Sequence, residues 1–356
     1  VRALRITIVT GIFPPDIGGP ATYVPFIAEE LVNDGHQVRI ITSAEPEQLN
    51  SLTQYKNKIE VLKVNRRGSF IARINALLKA FNNFAADTEI IYANGLFLEI
   101  AVCNHFLKKP LLFKIVGDPS WERCVTRGWT ELDFESFQNR ADTVLAVFSQ
   151  LTRKAVISRA DKIIVPSEYL KSIVSNWSRK AVVKVVPNAV KLPVALAPMT
   201  ITLPTKLNLV TCSRLVSWKR VDQIIEAVSE LKDVGLVIIG EGREYAKLEQ
   251  LVARLGIQDR VLFTGALNSD DTARYLKSAA ALVLNSTYEG YPHVLVEARA
   301  LGIPVIANDI SGTREALRGY QFASLAKIES KKALKQMLES FFIEKFADLK
   351  KTANLI

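Results

Sequence analysis

The feature that most constrains this chain is a strand, glycine loop, helix and strand packed into its first 43 residues. Arg5 to Thr10 alternates into a buried run, and Gly11 to Gly19 forms a loop carrying Pro14-Pro15 and Gly18-Gly19. A helix is predicted from about Pro20, where proline suits the first turn. Val24, Ile27, Ala28 and Leu31 recur at i, i+3, i+4 and i+7, and Gly35 stops the helix. Gln37–Ser43 reads as the next strand. A connection of crossover length between two strands makes them parallel neighbours in an α/β sheet.

The alternation continues. Further β-rich runs are Ile59–Val64, Glu89–Ala93, Leu111–Val116, Lys162–Val165 and Val182–Val186, with helical stretches such as Phe70–Ala85 and Tyr169–Asn176 between them. Leu192 to Thr205 carries three prolines and no charge, and reads as a linker. A second alternation then starts. Its strands are Leu207–Cys212, Val234–Ile239, Arg260–Thr264, Ala281–Asn285 and Pro304–Asn308; its helices are Val221–Leu231, Tyr245–Leu255, His293–Leu301 and a basic tail from Lys331. The 356 residues are therefore expected to form two domains, 1–191 and 207–356, joined by 192–206. In open parallel sheets ligands bind outside the carboxyl ends of the strands, and two such sheets facing each other would leave a cleft.

Composition removes other classes. Hydrophobic residues make up 49% and charged residues 23%, enough for large cores and unlike a disordered chain. The longest uncharged stretch is 14 residues, short of the ~20 that a spanning helix needs. No signal-peptide pattern leads the chain, and Val1 in place of Met leaves the native start open. Cys103, Cys124 and Cys212 are scattered, and His36, His105 and His293 lack metal-ligand spacing, so neither a disulfide scaffold nor a built-in metal site is expected, and a reducing cytoplasm fits. The net charge is +10. Residues 1–192 hold 25 Lys/Arg against 18 Asp/Glu, or +7, and the remainder 21 against 18, or +3. Basic residues thicken along Lys56, Lys58, Lys63, Arg66, Arg67, Arg73 and Lys79. No nucleic-acid module is visible, which leaves an anionic membrane surface or ordinary solvated side chains as readings.

Four segments carry candidate chemistry. Gly18-Gly19 stands just ahead of a helix N-terminus, where amides and dipole favour an anion; a tight turn is the plain alternative. Arg214 and Lys219 follow the strand Leu207–Cys212 and could hold a diphosphate, one as a fork and one as a point charge, or could be solvated. Glu289 and Glu297 are separated by seven residues, the first in a Gly/Pro loop and the second in an otherwise apolar helix whose first amides, around His293 to Leu295, offer another anion site. Such carboxylates can accept from sugar and ribose hydroxyls. Finally, Asp118 and Glu122 follow the strand Leu111–Val116; Asp118 is a candidate for acceptor contact or proton handling if it faces a cleft, or it simply builds a turn with Pro119.

Together these segments resemble the GT-B fold retaining glycosyltransferases of the family 4 type, the glycosyl transferases group 1. The resemblance rests on Pro14-Pro15…Gly18-Gly19, Leu31…Gly35-His36-Gln-Val38, Ser167-Glu-Tyr-Leu170, Pro187-Asn188, Arg214-Leu…Lys219-Arg220, Gly240-Glu-Gly242, the E-x7-E segment and Ala300-Leu-Gly-Ile-Pro-Val305. It implies two Rossmann-like domains facing across a cleft, the first binding acceptor and the second a nucleotide sugar.

By that resemblance Arg214 and Lys219 would bind the diphosphate, Glu297 the ribose, and Glu289 with the Gly290 and Tyr291 backbone the donor sugar. Gly240, Glu241 and Leu267 would border the base, Val294 and Leu295 would offer amides, and Gly19 would lie against the phosphates or sugar. Asp118 stands where relatives carry a histidine and would take over part of its role with Trp121 and Glu122; Arg220 stands where many have glycine. The implied reaction is retaining transfer through an oxocarbenium-like state. No D-x-D triplet is present, so no metal and no further cofactor is called for, with Arg214, Lys219 and helix amides as the charge clamp. The donor would be a UDP- or GDP-sugar, and the acceptor a polysaccharide or a lipid-linked glycan met at the inner face of a membrane. A nucleotide-sugar epimerase, a phosphorylase or a non-catalytic sugar-nucleotide-binding scaffold are the rival readings.

Overall fold

A computed structural model describes residues 2–49, 52–56, 58–178, 180–190 and 203–353, with side chains described as far as 343. Most of the expected linker therefore lies outside the described residues. The chain divides into two compact units, Val1–Pro187 and Asn188–Ile356.

The first unit runs β1 (Arg5–Thr10), α1 (Gly19–Asn33), β2 (Gln37–Ala44), β3 (Thr53–Tyr55), β4 (Ile59–Asn65), α2 (Phe70–Asn83), β5 (Ile90–Asn94), α3 (Phe97–Leu107), β6 (Leu111–Lys114), α4 (Pro119–Thr126), α5 (Phe134–Asn139), α6 (Val144–Ile157), β7 (Lys162–Val165), α7 (Glu168–Ser175) and β8 (Val182–Val185). Its eight strands lie in the order β3-β4-β2-β1-β5-β6-β7-β8, parallel except for β3, which pairs antiparallel with β4. Side-chain caps fix where helices begin. Ser69, Asp118, Thr143 and Ser167 each accept a bond from an amide in the first turn of α2, α4, α6 and α7. The core under α1 is Ile6, Ile8, Val24, Ala28, Val38 and Ile40, the face that the spacing of Val24, Ile27, Ala28 and Leu31 predicts.

The second unit runs β9 (Leu207–Cys212), α8 (Val221–Ser229), β10 (Val234–Ile239), α9 (Tyr245–Leu255), β11 (Val261–Gly265), α10 (Ser269–Ser278), β12 (Ala281–Leu284), α11 (His293–Ala300), β13 (Val305–Asn308), α12 (Ser311–Ala316), β14 (Ala323–Ala326) and α13 (Lys331–Ala353). Its six strands are all parallel, ordered β11-β10-β9-β12-β13-β14. All six residues of β10 are buried, as befits a strand covered on both faces. A fully buried Val, Leu or Ile contributes roughly 1.5–3 kcal/mol, so one charge at Ile238 would undo much of the unit. Ile224, Ile225 and Val228 of α8 share one core cluster with Leu334, Leu338 and Phe342 of α13.

Beyond the strands and helices predicted from periodicity, the fold adds β3, β14, α3 to α6, α10 and α12. Most are short, and two turns of helix carry too few apolar positions to show a period.

Candidate functional site

In the second unit, the loops that leave the carboxyl ends of β9, β10 and β12 are stitched to one another by backbone bonds. Leu215 N–H donates to the Glu241 carbonyl at 2.8 Å, and Thr287 N–H to the Trp218 carbonyl at 2.8 Å. Gly240 has φ of 133°, and a Cβ there would lie 2.0 Å from the Ser213 carbonyl oxygen, so only glycine lets the β10 loop pass this close. The same demand falls on Gly312 at the start of α12, where a Cβ would meet the Glu289 carbonyl oxygen at 2.0 Å.

Side chains complete the assembly. Lys219 Nζ forms an ion pair with Glu289 Oε1, to which Ser286 Oγ also donates at 2.7 Å. Both partners are largely buried, so the pair is held rather than solvated. Arg214 is exposed, its guanidinium 5.9 Å from the Trp218 ring. Arg220 adopts the left-handed conformation, φ 48°, that makes glycine common at such a position. Its own bonds offset the strain: Nε donates to the Asn285 carbonyl at 2.9 Å, and Nη2 to Asn285 Oδ1 at 3.0 Å and the Ile328 carbonyl at 2.8 Å. Arg220 therefore ties the loop bearing Lys219 to the end of β12.

Glu297 lies half-buried in α11, and burial raises its carboxyl above the ordinary range. Cys212, at the end of β9, is pushed up to about 12 by burial; Glu297 adds to the shift and Lys219 opposes it, which places both charges near this thiol. Val294 and Leu295 turn their side chains into the core, and the Leu295 amide turns back to the Pro292 carbonyl at 3.2 Å. Gly290 is buried and Tyr291 half-buried behind them. Glu241 is exposed, and its Oε1 accepts from the Ala266 amide at 3.5 Å, joining the β10 loop to the β11 loop that carries Leu267. Arg214, Lys219, Gly240, Glu241, Leu267, Glu289, Gly290, Tyr291 and Glu297 thus all sit at or beside the carboxyl edge of one sheet. Ser286, Asn308 and Gly312 belong with them and are not evident from the sequence. Asn308 Nδ2 donates to the Ser286 carbonyl at 3.0 Å and its Oδ1 accepts from the Ile328 amide at 2.9 Å. A Ser-Gly pair just after a buried strand is the signal that points to Gly312.

In the first unit, Gly19 opens α1 with open space where its Cβ would be, and Gly18 before it has φ 148°. Arg66 holds this loop through Asp16, and also donates to the Ser43 carbonyl at 3.0 Å. Four of the seven basic residues named between Lys56 and Lys79 have an acidic partner within this unit. Lys56 pairs with Glu29, Arg66 with Asp16, Arg67 with Glu45 and Arg73 with Glu99.

Asp118 does not stand at an open strand end. It is wholly buried, caps α4 through the Ser120 amide at 2.9 Å, accepts from Gln138 Nε2 at 3.1 Å and pairs with buried Arg153. The geometry gives it the turn-building role of its two readings. Trp121 is buried as well, its Nε1 donating to the Leu132 carbonyl at 3.1 Å.

Lys114 is another buried charge of this unit. Its Nζ donates to the Val186 carbonyl at 3.1 Å, lies 5.1 Å from the Tyr23 ring centre, and is lowered to about 8 by desolvation. The unfolded chain binds this proton more tightly, so wild-type stability relative to Lys114→Met rises as pH passes from about 8 to about 10.5 and levels off above it, where the amine is neutral in both states. Denaturation midpoints of the two proteins across that range test this; parallel curves would refute it.

Comparison with known proteins follows the division of the chain. Residues 17–192 match Glycosyltransferase Family 4 and residues 202–355 match Glycosyl transferases group 1. N-acetyl-alpha-D-glucosaminyl L-malate synthase of Bacillus anthracis is 24% identical over 329 residues, 85% of this chain and 79% of that protein. Alpha-monoglucosyldiacylglycerol synthase of Streptococcus pneumoniae is 24% identical over 349 residues, 86% of this chain and 71% of that protein. Among solved structures, Anabaena Alr3699/HepE in complex with UDP and glucose superposes with a TM-score of 0.70 at 19% identity, over 95% of this chain and 89% of that one.

Proposed function

The chain belongs to the GT-B group 1 glycosyltransferases, and from that premise we propose that it transfers a sugar, with retention and without a metal, from a UDP- or GDP-sugar to a polysaccharide or lipid-linked glycan at the inner face of a membrane. The observation that carries the reading is the pair of cations after β9, Arg214 exposed and Lys219 locked to Glu289, at the strand ends where such sheets take their ligands. As the bond to the donor sugar breaks, negative charge grows on the departing diphosphate. Two cations there would stabilise that charge, Lys219 held in advance by Glu289 and Arg214 reaching in from the exposed loop, the part a divalent ion plays elsewhere. Glu297 would accept from the ribose hydroxyls. Glu289, oriented by Lys219 and Ser286, would meet the sugar.

Retention is supported by the two curated relatives, both named for α-linked products. A uridine donor is supported by the UDP complex of the similar structure, and a lipid acceptor by the diacylglycerol in the second relative's name.

Thermal unfolding with UDP, GDP and ADP tests the donor class. A nucleotide at ~100 times its dissociation constant stabilises by about 2.7 kcal/mol, a shift of several degrees. The expected result is a shift with one base that Arg214→Ala and Glu297→Ala both abolish. No shift with any nucleotide would remove the donor site. Binding without release of nucleotide from its sugar conjugate, with acceptor present, would make the chain a scaffold.

A further inference from the structure

Helix α6 carries its apolar stripe on the outside. Val144, Val147, Phe148 and Leu151 recur at i, i+3, i+4 and i+7, the spacing of a buried face. Yet Val144 is 83% exposed, Phe148 69%, Leu151 58%, Leu145 48% and Val147 45%. The face turned inward holds Ala146, Ser149, Arg153, Val156 and Ile157. Rotating the helix to bury the stripe would pull Arg153 off Asp118, so the exposed orientation is locked by a buried ion pair.

What covers the stripe is indicated by its surroundings. Trp129 abuts the start of α6, its carbonyl accepting from the capping hydroxyl of Thr143, and the Arg127 guanidinium lies 4.7 Å from its ring centre. An aromatic ring and a cation beside an apolar stripe match the layered polarity of a lipid headgroup region. Helices that lead into the strands of a parallel sheet start at its carboxyl edge, so the Val144–Leu151 half of α6 lies there. Exposed Ile17 of the β1–α1 loop and exposed Ile71 at the start of α2 belong to the same edge.

We propose that this edge of the first unit docks on an anionic lipid bilayer, with the α6 stripe inserted into the interface. This goes beyond the transferase reading and rests on it only in the expectation that acceptor arrives from the bilayer. A second copy of the chain is a poorer occupant. Val144 to Leu151 spans about 12 Å of helix axis, which gives a few hundred Å² at most, against the ~800 Å² per partner of a stable interface. The +7 of residues 1–192 also repels a copy and attracts acidic lipid. In the sequence around the stripe the charges are mixed, with Arg123, Arg127, Arg140 and Lys154 among Glu131, Asp133, Glu135 and Asp142. Insertion therefore depends on the apolar side chains, and the charge excess of the unit as a whole supplies attraction.

The test is co-sedimentation of the full chain, without donor or acceptor, with vesicles of mixed phosphatidylcholine and phosphatidylglycerol. The wild type should bind, with weaker but persistent binding at high salt. Phe148→Ser with Leu151→Ser should lower the partition coefficient tenfold or more and leave the thermal midpoint unchanged or higher. Tryptophan emission, in which Trp129 is the one ring of four that is not buried, should shift to the blue on vesicles only in the wild type. Equal binding by the double variant, or no binding by the wild type at low salt, would overturn the proposal. So would a wild-type dimer in sedimentation that the double variant dissociates. Because nucleotide binding is measured separately, loss of vesicle binding leaves the transferase reading standing, and the reverse holds too.

Discussion

Lys219→Ala should lower kcat/KM for the nucleotide-sugar donor by a factor of about 10²–10³, the usual effect of removing one preorganised charge from a developing anion. Lys219 Nζ is held by Glu289 Oε1, and Ser286 Oγ fixes the same oxygen at 2.7 Å, so the ammonium stays in place before substrate arrives. The backbone bond from Thr287 to Trp218 and the three bonds of Arg220 then fix the loop. Truncation also leaves Glu289 buried with a single hydroxyl partner, so some loss of stability accompanies the loss of rate. Lys219→Arg separates the two effects. It keeps the charge and the pairing with Glu289 but moves the cation by more than an ångström, and it should restore stability more fully than rate. If Lys219→Ala keeps both kcat and KM within threefold of the wild type, the diphosphate clamp is not where we place it.

Much of this arrangement is legible in the amino-acid sequence, and the exceptions share a cause. Leu207–Cys212 and Val234–Ile239 are read to the residue, because strands covered on both faces are mostly apolar runs, here bounded by Lys206 and Ser213 and by Asp233 and Gly240. The loops after them are legible for the same reason, since the strand ends fix where ligand-facing residues must be. Local patterns do not reveal a partner distant in sequence. Nothing around Asp118 announces Arg153, 35 residues on, and only that partner turns a candidate catalytic carboxylate into a buried cap. Four cations of the basic run, Lys56, Arg66, Arg67 and Arg73, look solvated until Glu29, Asp16, Glu45 and Glu99 are found beside them. Gly312 escapes notice because its part is played through backbone proximity to the Glu289 carbonyl, and Ser286 because a lone serine hydroxyl does not announce the carboxylate it will meet. Helix α6 is a separate case: its apolar residues Val144, Val147, Phe148 and Leu151 are helically spaced, yet they lie on the exposed face, which spacing alone cannot tell.

Arg153→Ala should destabilise the first unit by about 3–5 kcal/mol, because it leaves the Asp118 carboxylate buried and uncompensated. Several elements meet at this pair. Asp118 caps α4, Gln138 of α5 donates to the same carboxylate at 3.1 Å, and the Arg153 guanidinium from α6 lies 4.3 Å from the Trp177 ring centre. Trp177 in turn donates to Gln138 Oε1 at 3.0 Å, closing the network after α7. Removing one member of a closed polar set costs more than the pair contributes, since the others lose their partner in a medium that cannot supply water. Replacing both charges, Asp118→Asn with Arg153→Met, should therefore recover a large part of the loss seen in Arg153→Ala alone. Urea unfolding followed by far-ultraviolet dichroism measures all three proteins. Asp118→Asn by itself keeps the cap through Oδ1 but turns an amide donor toward the donors of Gln138 and Arg153, so it should lose stability, and its turnover should track its folded fraction. A variant folded as well as the wild type but slowed a hundredfold would return Asp118 to the catalytic machinery and end the structural account. A double replacement no more stable than Arg153→Ala would show that the α4–α6 packing, rather than the stranded charge, sets the cost.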